Sequence, residues 1–380
     1  MSRLLFWLAA SLVAYTYAGF PALVLARARL RARPHRGAPI TPPVSVVVAA
    51  RNEVASIGDK VDNLLAADYP ADRLEVVVAS DGSGDGTVTA ARRADARVRV
   101  LDLPRAGKAG TLNAGVAHAR GEVLVFTDAN SMLAPDALRA LVAPFADPQV
   151  GGVAGDQRYL AGGADAAVAR GERGYWDLDR ALKRAESRAG NVISATGALY
   201  AVRRELFRAV PDGVTDDFAV STAVICQGRR LVFAPGAVAY EPVGASAEAE
   251  FARKVRVMTR GLNGVLLRRE LLDPRRHGFY ALQLLSHKVL RRLMALPLAV
   301  MLATGARLAR RGAPYRIAAT GHAAVVALGA AGLALGRRAP AHRLVALPAY
   351  FVLVNLASLR AVLNVATRRG IDRWEPRRER

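Results

Sequence analysis

The sequence predicts an α/β domain, built on a mostly parallel sheet and flanked by transmembrane helices. Three observations predict it. Apolar runs of strand length alternate with helix-like segments between residues 43 and 245. Long apolar stretches lie near both ends of the chain. Arginines cluster beside those stretches, and the 380 residues include 54 Lys and Arg against 32 Asp and Glu, a formal net charge of +22. A chain that is this basic, yet has a mean hydropathy of +0.16, fits a membrane protein whose arginines sit at the bilayer surface. Nucleic-acid binding is the other reading of such charge. Here the arginines flank apolar runs and form no zinc finger, basic zipper or aromatic-rich sheet motif, so no nucleic acid is expected as partner. Cys226 is the only cysteine. That excludes an intrachain disulfide and a cysteine metal cluster; in its apolar run it reads as a small core residue.

Residues 1–26 are expected to form an N-terminal transmembrane anchor. Leu4 to Ala26 lacks charge and at about 1.5 Å per residue is long enough for a hydrocarbon core of roughly 30 Å. A signal peptide is the competing reading. The stretch is long for one, and Arg27, Arg29, Arg31, Arg33 and Arg36 follow at once. The positive-inside rule then puts residue 27 onward in the cytoplasm of a cell whose inner membrane carries the anchor. Residues 27–42, with Pro34, Pro39, Pro42 and Pro43 close by, read as a stiff, basic, proline-rich linker.

Between residues 43 and 245 the runs VSVVVAA (44–50), LEVVVAS (74–80), VRVLDL (98–103) and VLVFTD (123–128) read as buried strands. Ala55 to Ala67, Thr87 to Asp95 and Lys108 to Ala119 read as helices between them. Such alternation argues for a parallel sheet covered on both faces. Ligands of these sheets bind beyond the carboxyl ends of the strands, so the informative residues should follow each run. Arg51-Asn52-Glu53 follows the first. Asp81 follows the second and leads into the glycines of DGSGDG. Asp128-Ala129-Asn130 follows the fourth. Residues two apart on an extended chain share a face, so Asp128 and Asn130 leave their strand side by side, an arrangement suited to a hard divalent cation. An ordinary turn is the alternative reading of those two residues. Lys108 in GKAG stands at a helix start, where amides and an ammonium can both meet phosphate; a plain surface lysine is its alternative. Farther on, SATGALYAVRRELF reads as a strand, a small-residue turn and a short helix. Asp216 and Asp217 then open another helix, as caps or as a general base.

The remaining segments are helical. Ala164 to Arg188, with Tyr175, Trp176 and Leu182, reads as scaffold or as a cover for an acceptor cleft. Residues 246–278 are expected as interfacial amphipathic helices, with Phe251, Val255, Met258, Leu262 and Val265 on one side. Residues 279–366 hold three candidate spans, LMALPLAVMLATGA, IAATGHAAVVALGAAGLALG and LVALPAYFVLVNLASL, before a basic tail at 367–380. The first is short. Three full spans would leave the C-terminus outside, and two spans with one interfacial helix would leave it inside.

In order, VSVVVAARNE, VVVASDGSGDGT, GKAGTLNAG, VLVFTDANSML, GALYAVRRELF and TDD resemble the motif series of membrane-anchored inverting family 2 glycosyltransferases, which include cellulose, hyaluronan and poly-N-acetylglucosamine synthases. The likeness covers roughly residues 43 to 265. It implies a GT-A (Rossmann-like) fold. It also implies transfer from a nucleotide-sugar donor, with a UDP-sugar the usual one, to a glycan or lipid-linked acceptor. Carried onto this chain, it places Arg51, Glu53, Asp81, Lys108 and Asp128 in the nucleotide-sugar pocket. Asp128 and Asn130 become ligands of Mg²⁺ or Mn²⁺, and Asp217 becomes the general base. Arg256, Arg260 and Asp216 fall on the acceptor or diphosphate side. Two departures stand out. Asn130 replaces the family's usual aspartate. RKVRV, Arg253 to Val257, keeps only Arg256 of the Gln-x-x-Arg-Trp motif of processive synthases, which leaves transfer of one or a few sugars open beside a long polymer. The alternative function is a catalytically degenerate, glycosyltransferase-like membrane protein that binds nucleotide sugar within a glycan-assembly complex.

Overall fold

The computed structural model describes residues 1–160, 166–242, 246–336 and 342–368. The chain forms two compact units. Residues 28–160 and 183–242 make the sheet domain; residues 1–27, 161–182 and 243–371 make a helical unit.

The sheet domain holds eight strands: β1 (Val44–Ala50), β2 (Leu74–Asp81), β3 (Val98–Leu103), β4 (Val123–Phe126), β5 (Met132–Leu133), β6 (Val150–Tyr159), β7 (Tyr200–Arg203) and β8 (Arg230–Glu241). Their order is β3-β2-β1-β4-β7-β6-β8-β5. The first four are mutually parallel, as the βαβ alternation predicts. The chain runs outward from β1 to β3, then returns to β4 on the other side of β1, so the strand order reverses between β1 and β4. Ligand sites of open α/β sheets lie at such a point.

Period-two packing covers both faces of this half. Val46, Val48, Val76, Val78 and Val125 share a core with Ile57, Val61 and Leu64 of the helix Val54–Leu65. Side chains of alternate register face the helix Gly107–Ala117 on the other side. There Gly115 allows close approach, since a Cβ would stand 2.8 Å from Val47 Cγ1. Each fully buried aliphatic side chain contributes about 1.5–3 kcal/mol relative to exposure.

The other half of the sheet adds antiparallel pairs to the mostly parallel frame. β7 and β5 run antiparallel to their neighbours, so the sheet is mixed. LYAVRRELF, expected as a short helix, instead gives β7, and only Arg204–Leu206 turns as a 3₁₀ helix. Tyr200, Ala201 and Val202 are fully buried between β4 and β6, and that burial overrides the helical leaning of an Ala- and Arg-rich stretch. Residues 31–42 are also more than a spacer. Arg230 binds the Arg33 carbonyl at 2.7 Å, Ala38 N–H donates to Ala143, and the Tyr69 hydroxyl donates to Pro42.

Among the described residues three helices are long and apolar enough to cross a membrane: Ser2–Leu30, Ala313–Leu335 and Leu344–Ala366. The first extends past the expected end at residue 26, because Arg29 and Leu30 are good helix formers and no proline intervenes before Pro34. Phe279–Leu293 and Ala295–Arg311 form a pair bent by 55°, which contains the short first candidate span. Gly329 and Gly332 let Ala313–Leu335 close on Arg343–Ala366, since a Cβ on Gly329 would stand 2.6 Å from the Pro348 carbonyl. The helix Ala247–Leu267, expected as interfacial, has one face against protein. Met258 and Thr259 meet Ser358 and Asn364, and Lys254 lies 5.6 Å from the centre of the Tyr350 ring. Ala166–Ala189 is helical; the side chains of Tyr175 and Trp176 lie outside the described residues, as do Arg337, Arg338 and the tail from residue 369.

Candidate active site

The site lies at the carboxyl rim of β1, β2 and β4. The β1 end turns through Asn52, whose φ of +50° is tolerated by a short polar side chain. Asn52 Oδ1 accepts from Gly84 N–H, Asn52 N–H donates to Ser83, and Asp85 accepts from Val54 N–H and Thr87 N–H. The loops after β1 and β2 are thereby tied together. Gly82 and Gly86 supply the left-handed residues this turn needs.

The structure separates the expected pocket residues into two sets. Arg51, Glu53 and Asp81 lie beneath the rim. Asp81 is fully buried, and its Oδ1 accepts from Ala106 N–H (2.6 Å), Gly107 N–H (2.9 Å) and Thr111 Oγ1 (3.0 Å). Arg51 Nη1 donates to the Asp81 carbonyl at 3.1 Å and stands 3.4 Å from Oδ2. Glu53 accepts from Ser56 at the start of its helix. In this arrangement Asp81 fixes the segment that presents Lys108.

Lys108 and Asp128 stand on the rim itself. Lys108 Nζ lies 2.9 Å from Asp128 Oδ1 and 3.0 Å from Asp216 Oδ1. Burial disfavours the charge on Lys108, but the two carboxylates outweigh it and hold its pKa above the usual lysine value. Tyr200 completes the cluster, its hydroxyl 3.4 Å from Asp216 Oδ2. Burial first, then Asp216, Asp217 and Asp128, push its pKa well up, so the phenol stays protonated. Asp216 and Asp217 open the helix Asp216–Cys226, where carboxylates are favoured. Of this acidic pair Asp216 bonds Lys108, while Asp217 Oδ1 accepts from Phe218 N–H at 2.7 Å. Gly197, in the segment before β7, leaves room for the cluster: a Cβ added there would stand 3.0 Å from Asp128 Oδ2. Arg51 Nε and Thr196 Oγ1 are buried without a hydrogen-bond partner among the described residues. Arg256 and Arg260 lie on the helix Ala247–Leu267 of the other unit.

The donor set fits a cation that bridges to a ligand better than one caged by protein. Asp128 offers a carboxylate and Asn130 a carboxamide oxygen, both partly exposed. Among the described residues no group of three His, Cys, Asp or Glu could hold a metal. A hard cation takes about six oxygens, so most would come from a bound ligand and water.

Two residues at this site escaped the sequence reading. Lys60, on the helix Val54–Leu65, is fully buried and donates to Thr127 Oγ1 (2.9 Å) and to the Ser131 carbonyl. Its signal was its place on the Ile57, Val61, Leu64 stripe. Gly197 had no signal beyond being a glycine.

Comparison with known proteins accords with this geometry. The chain is 31% identical over 186 residues to the beta-monoglucosyldiacylglycerol synthase of Synechocystis sp., covering 46% of this chain and 39% of that one. It is 27% identical over 233 residues to the poly-beta-1,6-N-acetyl-D-glucosamine synthase of Staphylococcus aureus, covering 59% and 56%. The chain thus spans roughly 39–56% of the length of the curated relatives it matches. Among solved structures it resembles a mannosyltransferase from Pyrobaculum calidifontis in complex with GDP-Man and Mn²⁺, with TM-score 0.73 and 28% identity over 96% of this chain and 99% of that one. Residues 42–272 match the family described as glycosyltransferase like family 2, and the chain belongs to that family.

Proposed function

We propose that the chain is a metal-assisted, inverting glycosyltransferase at a membrane. It moves a sugar from a nucleoside diphosphate donor to a hydroxyl of a glycan or lipid-linked acceptor. The observation that carries this reading is Lys108, held between Asp128 and Asp216 at the switch point of the sheet. In such a transfer the bond between the anomeric carbon and the diphosphate oxygen breaks as the acceptor oxygen bonds from the opposite face. An α-linked donor gives a β-linked product. Negative charge gathers on the leaving diphosphate, and the Lys108 ammonium, kept protonated by its two carboxylates, is placed to offset it. Asp128 and Asn130 would hold Mn²⁺ or Mg²⁺, which supplies Lewis-acid neutralisation of the same diphosphate. Asp217 receives the proton of the acceptor hydroxyl. Arg256 and Arg260 serve the acceptor or diphosphate side. The arginines behind the N-terminal span support a cytoplasmic sheet domain.

The donor base has two supported readings. The motif series implies uridine, and the GDP-Man complex of the mannosyltransferase supports guanosine. Purified full-length protein is incubated with UDP- and GDP-sugars and released diphosphate is measured. Release from one donor class is the expected result. Tight donor binding without release or transfer, with any acceptor fraction, would instead establish the catalytically degenerate binder.

A further inference from the structure

The most unusual buried group outside the roles just assigned is Lys60. A lysine is almost never fully buried unless paired, and Lys60 meets two neutral oxygens. They belong to Thr127 and Ser131, which bracket Asp128-Ala129-Asn130 on either side. The bracket is reinforced from every direction. Thr127 Oγ1 donates to the Ala198 carbonyl at 2.7 Å, joining the turn to the segment that carries Gly197. Ser131 Oγ donates to Glu241 Oε1 at 2.6 Å, and Gln157 donates to the other Glu241 oxygen. Ser131 N–H closes the turn on the Asp128 carbonyl at 3.1 Å. One helical turn beyond Lys60, Asn63 exchanges two hydrogen bonds with Leu133, through Nδ2 at 3.0 Å and Oδ1 at 2.8 Å. Residues three apart share a helix face, so one face of Val54–Leu65 grips the chain from Thr127 to Leu133.

We propose that Lys60 is a positioning residue for the cation and diphosphate: its Nζ, clamped on Thr127 and Ser131, sets the direction in which Asp128 and Asn130 present their oxygens. This rests on the metal-assisted reading above. A buried ammonium is expensive to desolvate, and an apolar side chain of similar length would fill the same space more cheaply. The clamp therefore exchanges stability for geometry at the rim. A purely structural lysine would leave cation affinity unchanged when replaced by an apolar side chain in a folded protein.

The test is binding of Mn²⁺ by full-length protein in detergent, followed by electron paramagnetic resonance with GDP and, separately, UDP present. Wild type is expected to show nucleotide-dependent Mn²⁺ binding. In K60M the apparent Kd for Mn²⁺ should rise about tenfold or more, the scale on which second-layer contacts of metal sites act. The thermal midpoint should not fall. In T127V, which keeps the lysine and removes one of its acceptors, the Kd should rise by a smaller factor. Folded K60M with wild-type Mn²⁺ affinity overturns the proposal. If K60M does not fold, T127V decides, and an unchanged Kd there overturns it equally. Absence of nucleotide-dependent Mn²⁺ binding in wild type would instead overturn the metal-assisted reading itself.

Discussion

Gly197→Ala measures how closely Asp128 is held. A Cβ at position 197 stands 3.0 Å from Asp128 Oδ2, 3.7 Å from Cγ and 3.9 Å from Oδ1, and ordinary contact begins at 3.4 Å. The carboxylate must therefore retreat by about 0.4 Å, and with it the 2.9 Å contact to Lys108. Its side chain is 34% exposed, so it can move without disturbing the core, and the variant should fold. A 1 Å misplacement near a reacting centre costs on the order of 10²-fold in rate, so on a logarithmic scale 0.4 Å costs about sixfold. The assay is the initial rate of diphosphate release at saturating donor, with a parallel Mn²⁺ titration. G321A serves as control, because a Cβ there meets nothing within 4 Å. A rate and a Mn²⁺ midpoint equal to wild type in G197A would refute the reasoning that the position of the Asp128 carboxylate governs the rate.

D217N should lower turnover by about 10²–10⁴-fold with donor affinity near normal, as loss of a general base does. D216N should act differently, raising the KM for donor, because Asp216 holds Lys108; equal small effects on turnover from both would remove Asp217 as base. N130D should lower the Mn²⁺ concentration for half-maximal rate, since it adds a charged oxygen to the turn, and an unchanged titration would place residue 130 outside the cation's reach. Burial lowers the Lys60 pKa from 10.5 to about 7, against the pull of Asp128 and Glu241. The unfolded chain thus binds more protons than the folded one between about pH 7 and 10.5, and stability should rise with pH across that window. Thermal midpoints measured at pH 6.5 and 9.5 should show this rise in wild type and lack most of it in K60M.

The parallel half of the domain was legible because β1 to β4 are short valine-rich runs with turn residues at the ends of most of them. Their carboxyl ends then pointed to Asp81 and Asp128, and a helix start to Lys108, without any structure. The other half was not. β6 contains Gly151, Gly152 and Gly155, whose missing side chains make room for Leu206, Leu231 and Leu199. Such a strand carries little β signal of its own. β8 is interrupted by Pro235 and Gly236, and β7 reads locally as helix; all three strands owe their conformation to neighbours distant in sequence. Within the site, composition named the rim residues but could not rank their depth. Asp81 reads as a ligand group by position, and its depth shows only in the structure, where Oδ1 accepts from Ala106, Gly107 and Thr111. Lys60 stands on the Ile57, Val61 and Leu64 stripe, but the strand end it grips is placed only by the fold.

The central claim is that Asp128 brings a divalent cation to the diphosphate of a sugar nucleotide. It is tested most directly by the rate of diphosphate release against free Mn²⁺, in chelator-buffered solution, for wild type and D128A. Wild type should rise from a low basal rate to saturation, and D128A should remain near that basal rate at every Mn²⁺ concentration. Full wild-type activity in excess EDTA, or a D128A curve that overlays wild type, would contradict the account.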